Sequence, residues 1–375
     1  MVIGVNNPTI SVQSALEHYS GLRSYITSFF ELTEAQPEYK ANKAWLDKIN
    51  GDANGAFRVY YQNVHGIPRD DVNLSQDLQA LAEYDVGCFC LSETNLDWNQ
   101  PYVKSEYLSR QQKIWKHSAT SFSTIDMESS SDYMTGGTLT TTVNKWSSRV
   151  FRKDADTSGM GQWSYQTLVD KQNTKVTIIM GYRCIRNISG ESSAWNQQAI
   201  FLKDRKSVRL PNPRKQFIKD LTDFINQKRA LNHEIILNLD TNEVVGEDSQ
   251  GISKLMSDCN LSDLHDVPGM DPDWQLLDTY RRGNKTRIDF MLGTPKIREC
   301  VQRRGALEYN DGIVSDHRGM FIDLNAALLF GGATDNHVAA CPEDSRLRMR
   351  KRSKSILIIW TNTSSIIRSA LALIL

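Results

Sequence analysis

The sequence predicts an α/β fold, and three observations carry that expectation. Between Phe57 and Leu324 short β-rich runs alternate with amphipathic or loop segments. Several of those runs are apolar on both faces, as in sheets that are covered on both sides. Polar residues stand at the ends of several runs, where loops on a rigid scaffold present function.

The elements follow in chain order. Leu22, Tyr25, Ile26 and Phe29 recur at helical spacing, and PEYKANKAWLDKIN (37–50) reads as a second helix, so residues 1–55 are expected to be a helical extension without an assigned role. Strands are expected at FRVYYQN (57–63), VGCFCL (86–91), TLTTTV (138–143), WSYQTLV (163–169), KVTIIMGY (175–182), EIILNL (234–239), RIDFML (287–292) and MFIDL (320–324), all rich in β-branched or aromatic residues. A helix is expected around Leu74–Tyr84. Another spans PRKQFIKDLTDFINQKR (213–229), where a proline suits the first helical position and Phe217, Leu221, Phe224 and Ile225 share a face. The serine-rich stretch 118–137 reads as a polar surface loop. The chain thus divides into the extension 1–55, a main domain 56–326, and a tail 327–375.

Forty-four basic and 44 acidic side chains give zero net charge, which excludes a strongly cationic nucleic-acid coat or an acidic tail protein but no enzyme. Six scattered cysteines form no zinc or disulfide pattern and predict a reducing compartment; Cys88 and Cys90 read as small hydrophobes on a strand. The first residues lack a basic stretch followed by a long apolar one, so no secretory signal is expected and the chain reads as intracellular. RLRMRKRSK (346–354) carries six basic side chains and would serve as a nuclear import signal. The apolar run 356–375 is interrupted by Thr361–Ser365 and Arg368, which argues against membrane contact; a tail foreign to the rest of the chain is the other reading.

The strand ends carry Asn63 in QNVHG, Glu93 in SET, Tyr182 and Arg183 in GYR, Asp240 and Asn242 in NLDTN, Asp289 in RIDF, and Asp316 and His317 in SDH. Each alone is more often a turn or surface residue. Together they hold what phosphodiester hydrolysis needs. A carboxylate and an amide oxygen can bind a divalent cation, a second carboxylate can orient or deprotonate water, and a histidine paired with an aspartate can meet charge developing on phosphate.

In order and spacing, these motifs resemble those of the endonuclease/exonuclease/phosphatase superfamily over Phe57 to Leu324. The resemblance implies a two-sheet, four-layer α/β sandwich of the DNase/AP-endonuclease type. It implies that Asn63 and Glu93 bind Mg²⁺, with Mn²⁺ as a substitute, and that Asp316 lies near the same centre. Asp240 and Asn242 would position and activate water, Asp289 would orient His317, and His317 and Tyr182 would contact the scissile phosphate, with Arg183 as a further phosphate contact. TYRRGNKTRIDFML and VSDHRGMFIDL also resemble endonuclease domains of non-LTR-type retroelements, although no reverse-transcriptase box is present. The chain departs from the repair branch at three places: His65 stands where an acidic residue is usual, Arg183-Cys184 replaces x-Pro, and Leu239 replaces a glycine. These departures weigh against recognition of abasic sites.

Two basic stretches, Lys203–Lys219 and Arg281–Arg304, flank the candidate site and suit a polyanionic partner such as DNA. Trp195, Trp274 and Tyr280 are candidate base-stacking residues. The favoured expectation is a Mg²⁺-dependent DNA endonuclease of retroelement origin. A phosphatase or phosphodiesterase acting on lipid or soluble phosphoesters is the alternative, and an inactive binding module the third. No protein partner is deducible.

Overall fold

A computed structural model describes residues 44–331, apart from 50, 52, 54, 128, 130, 171–172, 188–189, 191, 268–277 and 283–286. Two mixed sheets pack face to face with helices on their outer sides. The first sheet contains β1 (Trp45–Leu46), β2 (Phe57–Asn63), β3 (Cys88–Ser92), β4 (Ser118–Ser123), β5 (Thr138–Val143), β12 (Val301–Ala306) and β13 (Met320–Leu324), in the spatial order β1-β12-β13-β2-β3-β5-β4. The second contains β6 (Val150–Ala155), β7 (Trp163–Val169), β8 (Lys175–Tyr182), β9 (His233–Asp240), β10 (Ser262–Asp263) and β11 (Asp289–Gly293), in the order β10-β11-β9-β8-β7-β6. This is the two-sheet α/β sandwich that the motifs implied.

Each sheet has a parallel pair at its centre, β2 with β3 and β8 with β9. A parallel pair needs a crossover, and helices supply both. Helix α1 (Asp71–Glu83) joins the first pair; α3 (Ala194–Lys206) and α4 (Pro213–Ala230) join the second. Asp70 caps α1 by accepting from the Asn73 amide at 2.8 Å, and Asn212 caps α4 by accepting from Lys215 N, ahead of Pro213 at its first turn. The remaining helices are α2 (Pro101–Ile114), α5 (Ile252–Cys259), α6 (Pro295–Cys300) and α7 (Ala326–Phe330).

Alternation along the strands divides the core. Phe57, Val59 and Tyr61 of β2 face the second sheet together with Cys88, Cys90, Val176, Ile178, Met180, Ile236 and Met291. Tyr60, Phe89 and Leu91 face α1 and α2 instead, while Ile179, Leu237 and Leu239 face α4. Towards one edge the space between the sheets turns polar: Thr140 and Ser164 hydroxyls lie 2.9 Å apart, and Thr142 donates to Gln166 at 2.6 Å. Arg58 and Asp323, paired in register on β2 and β13, form a buried ion pair at 2.7 Å.

Three expectations change. Trp45–Leu46, expected within a helix, is a strand paired with Ala306 and Gly305; the rest of the expected extension, through Lys43, lies outside the described residues. Ser118–Ser123, expected in a loop, is an edge strand whose hydroxyls are satisfied by Gln111, which donates to Ser118 and Thr120, and by β5, where Thr141 donates to Thr120 and Thr140 O accepts from Ser121. Phe224, expected on the buried face of α4, is only partly covered, and Ile218 takes its place in the core. Among the described residues no helix is long and apolar enough to cross a membrane. The cysteines at 88, 90, 184, 259 and 300 are buried and unbridged; Cys341 and the tail beyond Gly331 lie outside the described residues.

Candidate active site

The period of two that builds the core also builds the site. Two positions beyond the last apolar residue on their inward stripes stand Asn63 on β2, Ser92 on β3 and Tyr182 on β8; on β9 the stripe runs Ile236, Asn238, Asp240, and Asp289 opens the stripe of β11. Strand register brings these ends together. Asn63 pairs with Ser92, Tyr182 with Asp240, and Asp240 with Asp289. The carboxyl ends of both parallel pairs therefore open on the same cleft, the usual place for a ligand in α/β sheets.

Hydrogen bonds fix the cluster. Asn63 Nδ2 donates to Glu93 Oε2 at 2.8 Å and to Asp240 Oδ2 at 2.7 Å, while its Oδ1 accepts from the His65 amide at 2.9 Å. Expected as a metal ligand, Asn63 instead bridges two carboxylates in this arrangement. Asp240 Oδ1 accepts from the Asn242 amide at 2.9 Å, and Asn242 Nδ2 donates to Arg183 O at 3.0 Å. His317 Nδ1 donates to Asp289 Oδ2 at 2.8 Å, which leaves Nε2 for other work. Arg282 Nε lies 3.0 Å from Asp316 Oδ2, and His65 Nδ1 is 3.7 Å from Glu93 Oε1. Glu93 and Asn242 both adopt left-handed backbone, with φ of 52° and 45°, immediately beyond a strand. Non-glycine residues adopt that conformation rarely, and functional loops account for many of the cases.

Charge is concentrated and buried here. Asp240 is almost fully covered; burial first, then repulsion from Asp289 and Glu93, pushes its carboxyl up to about 7 against the pull of His317 and the Asn242 amide. Burial opposes a charged His317, but the charge and hydrogen bond of Asp289, with Asp240 and Asp316 behind it, more than offset that and hold the imidazole up to about 9. Tyr182 is pushed well above the ordinary tyrosine range by burial and then by Glu93 and Asp240. Its ring packs on Gly136, whose φ of +86° is one that side chains rarely adopt and where a Cβ would come within 3.2 Å of the ring.

No protein-family model matches the sequence, and no curated protein matches it. The structure is similar to AP endonuclease LMAP from Leishmania major, with a TM-score of 0.52 and 12% sequence identity over 80% of this chain and 98% of that one. The two proteins share a fold, the two-sheet α/β sandwich with outer helices. The catalytic domain of APE2 from Xenopus laevis gives a TM-score of 0.48 at 13% identity, over 72% of this chain and 92% of that one. The endonuclease domain of TRAS1, a telomere-specific non-LTR retrotransposon, gives 0.41 at 14%, over 72% and 98%.

The superfamily resemblance implies a divalent cation, and the residues present fit one. Ligand atoms of Asp240, Asp289 and His317 all lie within 4.8 Å of one another, with Glu93 joined to Asp240 through the two hydrogen bonds that Asn63 donates. Both oxygens of Asp289 are engaged, by His317 and by the Tyr61 hydroxyl, and both of Asp240 accept hydrogen bonds, from Asn63 and from the Asn242 amide. A carboxylate pushed towards 7 by burial and by the repulsion of its neighbours takes a proton to relieve both, and a cation relieves them in the same way.

Several expected contacts do not survive in this fold. Arg183 is 1% exposed and its guanidinium is held by Glu243 and, at 3.4 Å, by Asp248; buried and paired, it cannot reach a substrate phosphate. Trp195 is buried against Tyr182, Cys184 and Ala194, a packing position and no stacking platform; Trp274 lies outside the described residues. In the second basic stretch Arg287 pairs with Asp263, Arg298 with Asp266 and Arg303 with Asp323, while Arg304 donates to Leu264 O. Arg281 and Arg282 remain exposed beside the cleft. Tyr280 stays at the site, its ring 4.8 Å from that of His317.

Three residues serve the site without a role in the motif reading: Gln62 within QNVHG, Thr279 at the head of TYRRGNKTRIDFML, and Glu243 just after NLDTN. Gln62 Nε2 donates to Ile313 O and His317 O, both at 2.9 Å, which ties the SDH loop to β2. Thr279 Oγ1 accepts from the Ile288 and Asp289 amides. Glu243 accepts from Arg183, Arg214 and the Ile252 amide beside the Asp240 loop. The only available signal was their position within or next to the motifs.

Proposed function

We propose that this chain is a divalent-metal-dependent phosphodiester hydrolase that cleaves DNA as an endonuclease of the retroelement type. The observation that carries the reading is the Asn63 amide held between Glu93 and Asp240 at one end of the inter-sheet space, with the Asp289–His317 pair beside it. Glu93 and Asp316, with Asp240 adjoining, would hold Mg²⁺ or Mn²⁺, which supplies charge stabilisation to phosphoryl and leaving oxygens.

The chain's own residues supply the rest. Asp240, fixed through one oxygen by Asn63 and through the other by Asn242, orients and accepts a proton from the attacking water. His317, held protonated by Asp289, donates from Nε2 to a non-bridging phosphate oxygen. Tyr182 closes the same cleft. Arg281 and Arg282, with the exposed cations of 203–219, favour an extended polyanion over a small phosphoester.

Nicking of supercoiled plasmid in Mg²⁺ tests the proposal. EDTA should abolish it, and Glu93→Ala or His317→Ala should lower it by about 10²–10³. Hydrolysis of an inositol phosphate by a wild-type protein that leaves plasmid closed would overturn the DNA reading. Full activity in Glu93→Ala would overturn the metal assignment.

A further inference from the structure

The inward stripe of β2 runs Phe57, Val59, Tyr61 and then Asn63, and packing alone asks nothing polar of position 61. A phenylalanine would fill the same space. Tyr61 is fully buried, and a phenol hydroxyl taken out of water costs free energy unless it finds an acceptor. Its acceptor is Asp289 Oδ1. The other oxygen of the same carboxylate receives His317 Nδ1 at 2.8 Å. Asp289 is itself fully covered, and its amide donates to Thr279 Oγ1 at 3.1 Å.

From this geometry we infer that Tyr61 is a positioning residue for His317, acting through Asp289 from beneath the cleft. The inference rests on the proposed function for the role of the Asp289–His317 pair, but the Tyr61 contact is observable without it. A carboxylate bound through one oxygen can turn about its Cβ–Cγ bond. Bound through both, it holds a single orientation, and the imidazole on its far side is aimed with it. The phenol also draws charge from Asp289, so it limits how strongly the carboxylate grips Nδ1. Tyr61 thus sets both the direction of Nε2 and the strength of the bond behind it. Gln62 and Ser315 hold the backbone of the same loop from β2, through His317 O at 2.9 Å and Asn63 O at 2.7 Å, so β2 fixes His317 at the main chain and at the ring.

The test reads the hydrogen-bonded His317 Nδ1 proton by NMR in substrate-free protein, assigned by its loss in His317→Asn. In Tyr61→Phe the Asp289 carboxylate loses one donor and grips Nδ1 harder, so the signal should move downfield. With 3,5-difluorotyrosine at position 61, a stronger donor of nearly the same shape, it should move upfield. Plasmid nicking should lose about tenfold in kcat in Tyr61→Phe, with KM and thermal midpoint close to wild type, and should be largely kept in the fluorinated protein. A signal unmoved in both proteins would overturn the inference, and so would an unchanged kcat in Tyr61→Phe. Should the phenylalanine variant fail to fold, the fluorinated protein alone decides through the direction of its shift. A wild type that cleaves no DNA would refute the proposed function while the proton signal still judged the Tyr61 contact.

Discussion

Two clusters of buried charge start from the ends of β8 and β9 and are wired differently. One is open: Asp289 and His317 bond each other, Asp240 is held by the neutral donors Asn63 and the Asn242 amide, and the imidazole keeps its second nitrogen. The other is closed: Arg183 meets Glu243 and Asp248, Arg214 meets Glu243 and Cys184 O, and the second Glu243 oxygen accepts the Ile252 amide at 3.0 Å. Gly251 is part of that closure, since a Cβ there would collide with the Glu243 carboxylate. Arg183, lowered to about 10 by burial and by Arg214, stays charged at neutral pH because its partners are in place. Asp240 has donors too, but burial and then the repulsion of Asp289 and Glu93 outweigh them, and it is pushed up to about 7. Unmet charge in the open cluster is what can act on a substrate. Met charge in the closed cluster holds the loop that carries Asp240 and Asn242, because Arg183 N donates to Asp240 O and Arg183 O accepts from Asn242.

The two clusters should therefore fail in different ways. His317→Ala is expected to cost about 10³-fold in kcat, on the order of 4 kcal/mol of transition-state stabilisation, and also some stability, because it leaves the buried Asp289 with the Tyr61 hydroxyl and without its cationic partner. Plasmid nicking and calorimetry on the same preparation would check this, and a nicking rate that falls no further than the folded fraction does would make His317 a structural residue. Glu243→Ala should do the reverse. Removing one partner from a buried ion pair costs about 3–5 kcal/mol, so stability should fall first and activity with it. A Glu243→Ala protein of wild-type stability in urea unfolding would show that the closed cluster holds nothing. Arg282→Ala lies between these cases, exposed and bound to Asp316 across the open cluster. It should weaken DNA binding severalfold and reduce the slope of log affinity against log salt by about 1 without altering the fold.

Much of this arrangement was legible in the chain. Strands such as 57–63, 138–143 and 175–182 show their bounds because each is a β-rich run stopped by turn residues, and the inward stripe then fixes which polar residue ends up in the cleft. The pairing of Asp289 with His317, 28 residues apart, was legible only through the resemblance of the RIDF and SDH motifs to a known family. What the sequence hid depends on partners far along the chain. Arg183 looked like a free cation because nothing near it in sequence announces Glu243, 60 residues on. Trp45–Leu46 looked helical by local propensity, and only pairing with β12, some 260 residues later, makes it a strand. Ser118–Ser123 read as a loop because its hydroxyls are polar, yet Thr120, Thr141 and Gln111 satisfy one another inside the fold.

A third carboxyl sharpens the contrast because it belongs to neither cluster. Asp77 lies on the inner side of α1, beside Leu74, Leu78 and Tyr107, and burial followed by the charge of Asp70 pushes it up to about 6. An acid whose folded-state pKa is raised contributes stability that is fully present below its unfolded value, near 4, and is lost as pH rises through 6. At pH 7 it is ionised in the folded protein with its desolvation uncompensated, the situation that Glu243 avoids through Arg183 and Arg214. Asp77→Asn should therefore stabilise the protein by about 1 kcal/mol at pH 7, a figure reduced for partial solvent screening, and the gain should vanish near pH 4. Thermal midpoints of wild type and variant across that range decide the matter. A gain independent of pH would mean that the asparagine helps by packing or helix propensity, and that a lone half-buried carboxylate costs this fold nothing.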